Sequence, residues 1–163
     1  MLNRKPDFML SGEVDNQMVA MLADTLMKSP QKKLWLFNSE GGNMPDGFAM
    51  HSLIKLMAPD IQVVGVGQIE SMAIIPFLAC KVRMATRETA FMVHQGTFQL
   101  ELPEPQSDIP GMCFELQRQN SDYERIIAAN TKLSEGQISQ LVRAGTYFSA
   151  QQALEWGFIH KII

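Results

Sequence analysis

The chain has 163 residues, of which 46% are hydrophobic and 19% charged, and its formal net charge is −3 at pH 7. These values fit a single globular domain with one core, which we expect over residues 1–163. Because the net charge is slightly negative, the composition indicates no basic surface of the kind that binds nucleic acid. The longest apolar stretch, residues 72–80, is too short to cross a bilayer. We therefore expect neither nucleic acid nor a membrane as a partner.

The two cysteines, Cys80 and Cys113, do not have the CxxC or Cys/His spacing of a metal site. We therefore predict no metal and no cofactor. Two unpatterned cysteines fit a reducing compartment. The polar N-terminus lacks the apolar segment of a secretory signal. These features together predict a cytoplasmic protein.

The first half of the chain alternates strand and helix patterns. Apolar runs predict strands at 8–10, 34–37 and 61–66. Helical spacing predicts a helix on the apolar residues Val14, Met18, Met21, Leu22 and Leu26. Ser29-Pro30 would stop that helix. After a turn-rich loop at 38–43, Asp46 is the expected N-cap of the next helix.

The second half continues this rhythm. A short buried helix is predicted at 72–79, with Pro76 tolerated in its first turn. We expect strands at 82–84, 90–93 and 158–163, and helices at about 108–130, from Ser134 onward and at 149–154. Ser134 with Gln137 matches a capped helix start, and Gly157 a helix end. Alternating strands and helices predict a mostly parallel sheet under helices.

A serine and a histidine occupy similar positions after two of these predicted strands. Ser71 follows the run 61–66 within Gly67-Gln68-Ile69-Glu70-Ser71-Met72, and His94 follows Phe91-Met92-Val93. Open α/β sheets place their chemistry at the carboxyl ends of strands. A hydroxyl and an imidazole brought together there form a nucleophile and a general base. Taken singly, Ser71 would ordinarily be interpreted as a helix cap and His94 as a structural residue.

Five short motifs occur in order along the chain: Ser11-Gly12-Glu13-Val14, Asn38-Ser39-x-Gly41-Gly42, Gly67-Gln68-x-x-Ser71-Met72, Val93-His94-Gln95, and Phe148-Ser149-Ala150 with Ala153-x-x-Trp156-Gly157. Together they resemble the proteolytic subunit of the Clp proteases, ClpP. The resemblance covers residues 8–162 and implies an α/β fold, the ClpP/crotonase-type spiral of β-β-α units with a handle segment and a long helix.

The resemblance also implies a mechanism, a serine-type endopeptidase. Ser71 would be the nucleophile and His94 the general base, with the backbone N–H groups of Gly42 and Met72 as oxyanion hole. The substrate would be a peptide or unfolded protein, and the assembly a homo-oligomer, a heptameric ring. No cofactor is implied.

The chain departs from the family where the triad needs its carboxylate. An ungapped alignment from Ile138 places Gly145 where the family has Asp. Loss of this group costs serine proteases about 10⁴ in turnover. Three alternatives remain. Thr146 Oγ or a backbone carbonyl accepts from the imidazole, an acid such as Asp108 or Glu70 replaces the missing one, or the site is inactive.

Other departures concern the substrate groove and the assembly. Glu70 and Glu40 add carboxylates where the family has a small residue and a proline. Only the short tail 1–7 precedes the first strand, which places coupling to a Clp ATPase in doubt. The arm 97–110 matches the family's handle, but Pro103 and Pro105 would interrupt strand pairing, so we expect a single ring or an altered assembly.

Two functions of different classes follow. The first is an active peptidase subunit. The second is a catalytically weak or inactive ClpP-like paralogue that serves as a structural ring component, alone or beside an active ClpP-like partner. A crotonase-type acyl-CoA enzyme would share the fold, but Ser71-Met72 and His94-Gln95 resemble ClpP more closely.

Overall fold

The computed structural model describes residues 5–29, 31, 33–97 and 109–163. The first four residues of the expected tail lie outside these ranges. Most of the expected arm, including Pro103, Pro105 and Asp108, also lies outside them.

Strands and helices alternate through the described part of the chain. The strands are β1 (Phe8–Ser11), β2 (Leu34–Ser39), β3 (Gln62–Glu70), β4 (Val82–Ala85), β5 (Ala90–Val93), β6 (Thr146–Ser149) and β7 (Lys161–Ile162). The helices are α1 (Asn16–Lys28), α2 (Met44–Met57), α3 (Ile74–Ala79), α4 (Ile109–Asn130), α5 (Glu135–Ala144) and α6 (Ala150–Trp156). A 3₁₀ turn, Ser71–Ala73, joins β3 to α3. None of the described helices is long and apolar enough to cross a membrane.

The sheet is mostly parallel, as the sequence predicts. Its main path runs β1-β2-β3-β4-β7, and every pair along that path is parallel. Strand β5 pairs in parallel with the second half of β3, and β6 adds to β5 in the antiparallel sense. The expected mixed α/β architecture is confirmed.

Strand β3 changes partners halfway along its length. Its first half pairs with β4 up to Gly65, and its second half pairs with β5 from Gln68 onward. Gly67 lies between them at φ +73°, and a Cβ there would approach Asn38 Oδ1 to 2.6 Å. That same oxygen accepts the Gln68 N–H at 3.1 Å. The end of β3 therefore leaves the main sheet in a fixed direction.

A row of aromatic rings joins the main sheet to β5 and β6. Phe77 lies 6.5 Å from Phe37 and 6.0 Å from Phe91, measured between ring centroids. Phe148 of β6 continues the row, at 5.4 Å from Phe91 and 4.9 Å from Phe158. Aromatic pairs at these separations add to the stability gained by burial.

Arg83 in β4 is buried, with 7% of its surface exposed, and its guanidinium donates five hydrogen bonds to backbone carbonyls. The acceptors lie at the C-terminal ends of α3, α4 and α6: Leu78, Cys80, Asn130, Gly157 and Phe158. Helix C-termini carry partial negative charge and unsatisfied carbonyls. A single buried cation therefore joins three helix ends.

Several predicted boundaries are confirmed. Ser134 and Ser149 both cap helices through complete capping boxes, with Gln137 and Gln152 as partners. Gly157 ends α6 in the left-handed conformation. The long helix is present from Ile109 to Asn130.

Other local predictions were wrong. The N-cap of α2 is Asn43, whose side chain accepts the Asp46 N–H, and Asp46 lies within the first turn. Val14 precedes α1 and forms a parallel bridge with Gly42. Strand β2 extends through Ser39, where the sequence predicts a loop, and β3 extends to Glu70.

The C-terminal part differs as well. The sequence predicts no strand at 146–149, where β6 lies, because the four residues bury only Phe148. The terminal strand is limited to Lys161–Ile162, since Phe158 and Ile159 pack into the core instead of pairing.

We expect Arg83→Lys to lower the free energy of unfolding by roughly 2–4 kcal/mol, because an ammonium has three donors for five buried carbonyls. Chemical denaturation measures this. Arg87→Lys, at an exposed position, is the control and should change stability by less than about 0.5 kcal/mol. Equal losses in the two variants would refute the role of Arg83.

Acid should destabilise the fold through two histidines. Burial, followed by nearby cations, lowers the pKa of His51 and of His160 below 6.5. Among the described residues His51 Nε2 is buried without a hydrogen-bond partner, and His160 Nδ1 accepts the Arg83 N–H at 3.0 Å. Both histidines therefore bind a proton more readily in the unfolded chain than in the folded one.

The neutral histidines contribute their full stability to the fold above the pKa that they have in the unfolded chain. This stability is lost as the pH falls through their lower pKa values in the folded protein. The denaturation midpoint should decrease as the pH is lowered from about 7.5 to about 5.5. The decrease should be smaller in a double variant that carries His51→Gln and His160→Gln.

Candidate active site

The fold brings Ser71 and His94 together. Ser71 directly follows β3, and His94 directly follows β5. These strands are parallel neighbours, with Glu70 opposite Met92, so both side chains lie at the same edge. Ser71 Oγ and His94 Nε2 are 2.7 Å apart, a hydrogen-bond distance. In this arrangement the imidazole can accept the hydroxyl proton.

Ser71 has an unusual backbone conformation. Its φ is +52°, and among the described residues it is the only one other than glycine with a positive φ. The left-handed conformation costs an L-residue roughly 1–2 kcal/mol, and such residues cluster at functional sites. The sharp turn lets β3 end and the 3₁₀ turn begin at one residue, which leaves Oγ directed toward His94.

A tyrosine absent from the sequence predictions contacts the backbone of Ser71. Tyr123 Oη on α4 donates to the Ser71 carbonyl at 3.0 Å, and the tyrosine is 2% exposed. Burial raises the pKa of the Tyr123 phenol, which keeps it protonated and a donor. Its only sequence signal is its spacing of four residues from Ile127, which places both on the buried face of α4.

The loop 41–43 runs beside Ser71. A Cβ on Gly41 would lie 2.6 Å from Ser71 Cβ and 2.9 Å from the Met72 nitrogen. The loop is fixed by hydrogen bonds from Val14 N to Gly41 O and from Asn43 N to Val14 O. Neither bond uses the Gly42 N–H. The two predicted oxyanion donors, Gly42 and Met72, therefore belong to backbone segments that meet next to Ser71.

A cavity of about 570 Å³ opens beside the pair, and Ser71, His94 and Gly42 lie in its wall. Its other walls include the apolar side chains of Met44, Pro45, Met112 and Leu116. The sequence analysis did not identify these four residues, which come from the start of α2 and the first half of α4. A cavity of this kind accommodates a large apolar side chain.

Gly145, at the position of the missing carboxylate, has free space around it. Gly145 ends α5 in the left-handed conformation at φ +62°, and a Cβ there would meet no atom within 4 Å. The antiparallel ladder of β5 and β6 ends at the pair Val93–Thr146, and the next residues beyond it are His94 on one side and Gly145 on the other. Within the described ranges, His94 Nδ1 has no hydrogen-bond partner.

The side chains predicted as replacements for that carboxylate are those of Thr146, Glu70 and Asp108. The Thr146 hydroxyl donates to Leu141 O at 2.8 Å, and no hydrogen bond joins it to His94. Glu70 is partly exposed. Burial, then the neighbouring Glu40, raises its pKa, and His94 acts in the opposite direction. Asp108 lies outside the described residues.

The described residues contain no group of three His, Cys, Asp or Glu side chains that could hold a metal ion.

Known proteins resemble this chain in sequence and in fold. The family model described as Clp protease matches residues 1–163. The ATP-dependent Clp protease proteolytic subunit 2 of Treponema pallidum (strain Nichols) is 25% identical over 162 residues, 95% of this chain and 80% of that protein. The structure of the ClpP1 N165D mutant from Listeria monocytogenes superposes with a TM-score of 0.84 at 26% identity, covering 96% of this chain and 90% of that one. The chain therefore belongs to the Clp protease family.

Proposed function

We propose that this chain is a ClpP-like serine endopeptidase subunit. The observation that carries the proposal is the 2.7 Å contact between Ser71 Oγ and His94 Nε2 in a member of the Clp protease family. Ser71 is the nucleophile and His94 the general base. The N–H groups of Gly42 and Met72 form the oxyanion hole.

The reaction proceeds in two steps. Ser71 Oγ attacks the peptide carbonyl while His94 Nε2 takes the hydroxyl proton. The carbonyl oxygen becomes an oxyanion that accepts from the Gly42 and Met72 N–H groups. Its collapse breaks the C–N bond, and His94 delivers the proton to the leaving amine. Water, deprotonated by His94, then cleaves the acyl ester and returns Ser71 to its hydroxyl form.

The substrate is an extended peptide or an unfolded protein. The cavity beside Ser71 is lined by Met44, Pro45, Met112 and Leu116, so it favours a large apolar side chain next to the scissile bond. Glycine at position 41 lets the loop 41–43 lie directly against Ser71, because a Cβ there would come within 2.6 Å of Ser71 Cβ.

The assembly is a homo-oligomeric ring, heptameric in the form that the family implies. A Clp ATPase or a ClpP-like partner would supply or share the substrate. Cys80 and Cys113 are both free, in keeping with a reducing cytoplasm.

A second candidate function is a structural ring component of low activity. Gly145 favours it, because His94 then lacks the carboxylate that orients the imidazole and stabilises its cation. Glu70 and Glu40, adjacent to the pair in sequence or space, favour it as well, since their charge opposes an oxyanion at Ser71.

A fluorophosphonate probe separates reactive from unreactive serine. We expect one adduct on Ser71, located by peptide mass spectrometry, because the imidazole 2.7 Å away activates the hydroxyl. Ser71→Ala should abolish labelling. Ser52→Ala is the control, because the Ser52 hydroxyl is exposed and donates to Phe48 O. Unlabelled Ser71 in the assembled protein, across the pH range where it is folded, would contradict the peptidase proposal.

Restoring the acid should raise turnover. We expect Gly145→Asp to increase kcat by about 10²- to 10⁴-fold, because a carboxylate opposite His94 orients the ring and stabilises its cation. The left-handed backbone should cost roughly 1 kcal/mol of stability, which Asp tolerates better than most residues. Peptide hydrolysis and thermal unfolding measure the two effects.

Gly145→Asn is the matched control, since it imposes the same backbone strain without the charge. Equal turnover in the Asp and Asn variants would exclude a missing carboxylate as the limit on activity. Failure of both to cleave peptides, with an intact ring, would favour the structural role.

A further inference from the structure

The longest helix, α4, contacts the backbone on both sides of the Ser71–His94 pair. Tyr123 Oη donates to the Ser71 carbonyl at 3.0 Å. One turn earlier, Asn120 Oδ1 accepts the Gly96 N–H at 2.7 Å, and Asn120 Nδ2 lies 3.5 Å from Gly96 O. Residues three apart share one helix face. A single face of α4 therefore holds both the nucleophile segment and the segment that follows the base.

The Tyr123 contact acts on the one strained residue of the site. Ser71 has φ +52°, and its carbonyl accepts from a tyrosine that is 2% exposed. A buried hydrogen bond to the carbonyl favours the backbone conformation in which that carbonyl points at α4. The same conformation directs Oγ toward His94 Nε2.

Asn120 holds the backbone of Gly96, which lies two residues after His94 in the chain. A side-chain amide facing both polar groups of the Gly96 peptide substitutes for a neighbouring strand. Gly96 and Thr97 line the cavity beside Ser71, so their position sets the wall along which a substrate would lie. A Cβ on Gly96 would meet Met44 Sδ, which shows how closely this segment packs against the start of α2.

We infer that Tyr123 and Asn120 are positioning residues for hydrolysis: Tyr123 stabilises the reactive backbone of Ser71, and Asn120 fixes the peptide of Gly96 beside the substrate cavity. This inference rests on the proposed peptidase function. Neither residue takes part in bond making. Tyr123 is absent from the cavity wall, so it acts on the rate of the chemical step and not on substrate binding.

Tyr123→Phe removes one oxygen atom and leaves the ring in place. We expect roughly a five- to tenfold fall in kcat, and in the rate of fluorophosphonate labelling of Ser71, with KM unchanged. Tyr147→Phe is the matched control, because Tyr147 is 66% exposed on β6 and its loss of a hydroxyl should change neither rate. The substrate is a short fluorogenic peptide with an apolar residue before the scissile bond.

Asn120→Ala should act differently, raising KM as well as lowering kcat, because it releases the cavity wall. Gln117→Ala, at an exposed position on the same helix, is its control. Variants that lose only thermal stability, with kcat and KM unchanged, would show that both contacts serve the fold alone and would overturn the inference.

A crystal structure of Tyr123→Phe provides a readout without turnover. We expect Ser71 to leave the left-handed region, or its Oγ to move beyond hydrogen-bond distance from His94 Nε2. Unchanged geometry at Ser71 would overturn the role of Tyr123. If neither the unmodified chain nor Gly145→Asp labels or cleaves, the proposed peptidase function fails, while this crystallographic comparison still decides the positioning role.

Discussion

The buried guanidinium of Arg83 is the contact on which the arrangement around the site depends. Each of its five N–H groups donates to a carbonyl at the end of α3, α4 or α6. A buried cation ordinarily requires a carboxylate. Three helix C-termini supply partial negative charge and otherwise unsatisfied acceptors in its place. Burial lowers the pKa of Arg83, yet the group keeps all five donors engaged.

Each of the three helices joined there is connected to a segment that positions Ser71 or His94. Helix α3 continues from the turn that begins at Ser71. Helix α4 carries Tyr123 and Asn120. Helix α6 follows β6, the strand paired with β5, which ends next to His94. The relative positions of Ser71, His94 and α4 are therefore coupled to one side chain, Arg83, that lies outside the cavity.

The features of the fold that could be predicted from the sequence are those that depend on interactions between residues close together in the chain. The capping boxes at Ser134 and Ser149 satisfy helix N–H groups within four residues, so their sequence signature is sufficient. At the start of α2, Asn43 and Asp46 are both good caps, and only the position of the loop against Val14 selects Asn43. Strand β6 depends on its pairing with β5, a contact between residues more than 50 positions apart, and has no local pattern of its own.

The pair at Ser71 and His94 was predictable from strand ends, but its support was not. Tyr123 has the pattern of any core residue on a helix, and its contact with Ser71 joins residues 52 positions apart. The acceptors of Arg83 are carbonyls, which sequence does not distinguish from one residue to the next. Sequence therefore indicates which side chains can react, whereas the backbone contacts that orient them emerge only from the packed fold.

The geometry of the pair and its activity have separate physical origins. Ser71 and His94 are placed by β3, β5 and α4, all of them parts of the core, and none of these elements requires an acid at position 145. With glycine at position 145, Ser71 Oγ and His94 Nε2 lie 2.7 Å apart. That glycine offers no charge to stabilise an imidazolium. Burial, followed by the charge of Glu40, raises the pKa of Glu70, and His94 acts in the opposite direction. Because the strands and the helix hold Ser71 and His94 together with glycine at position 145, the choice between the two proposed functions depends on the chemistry of residue 145 and not on the fold.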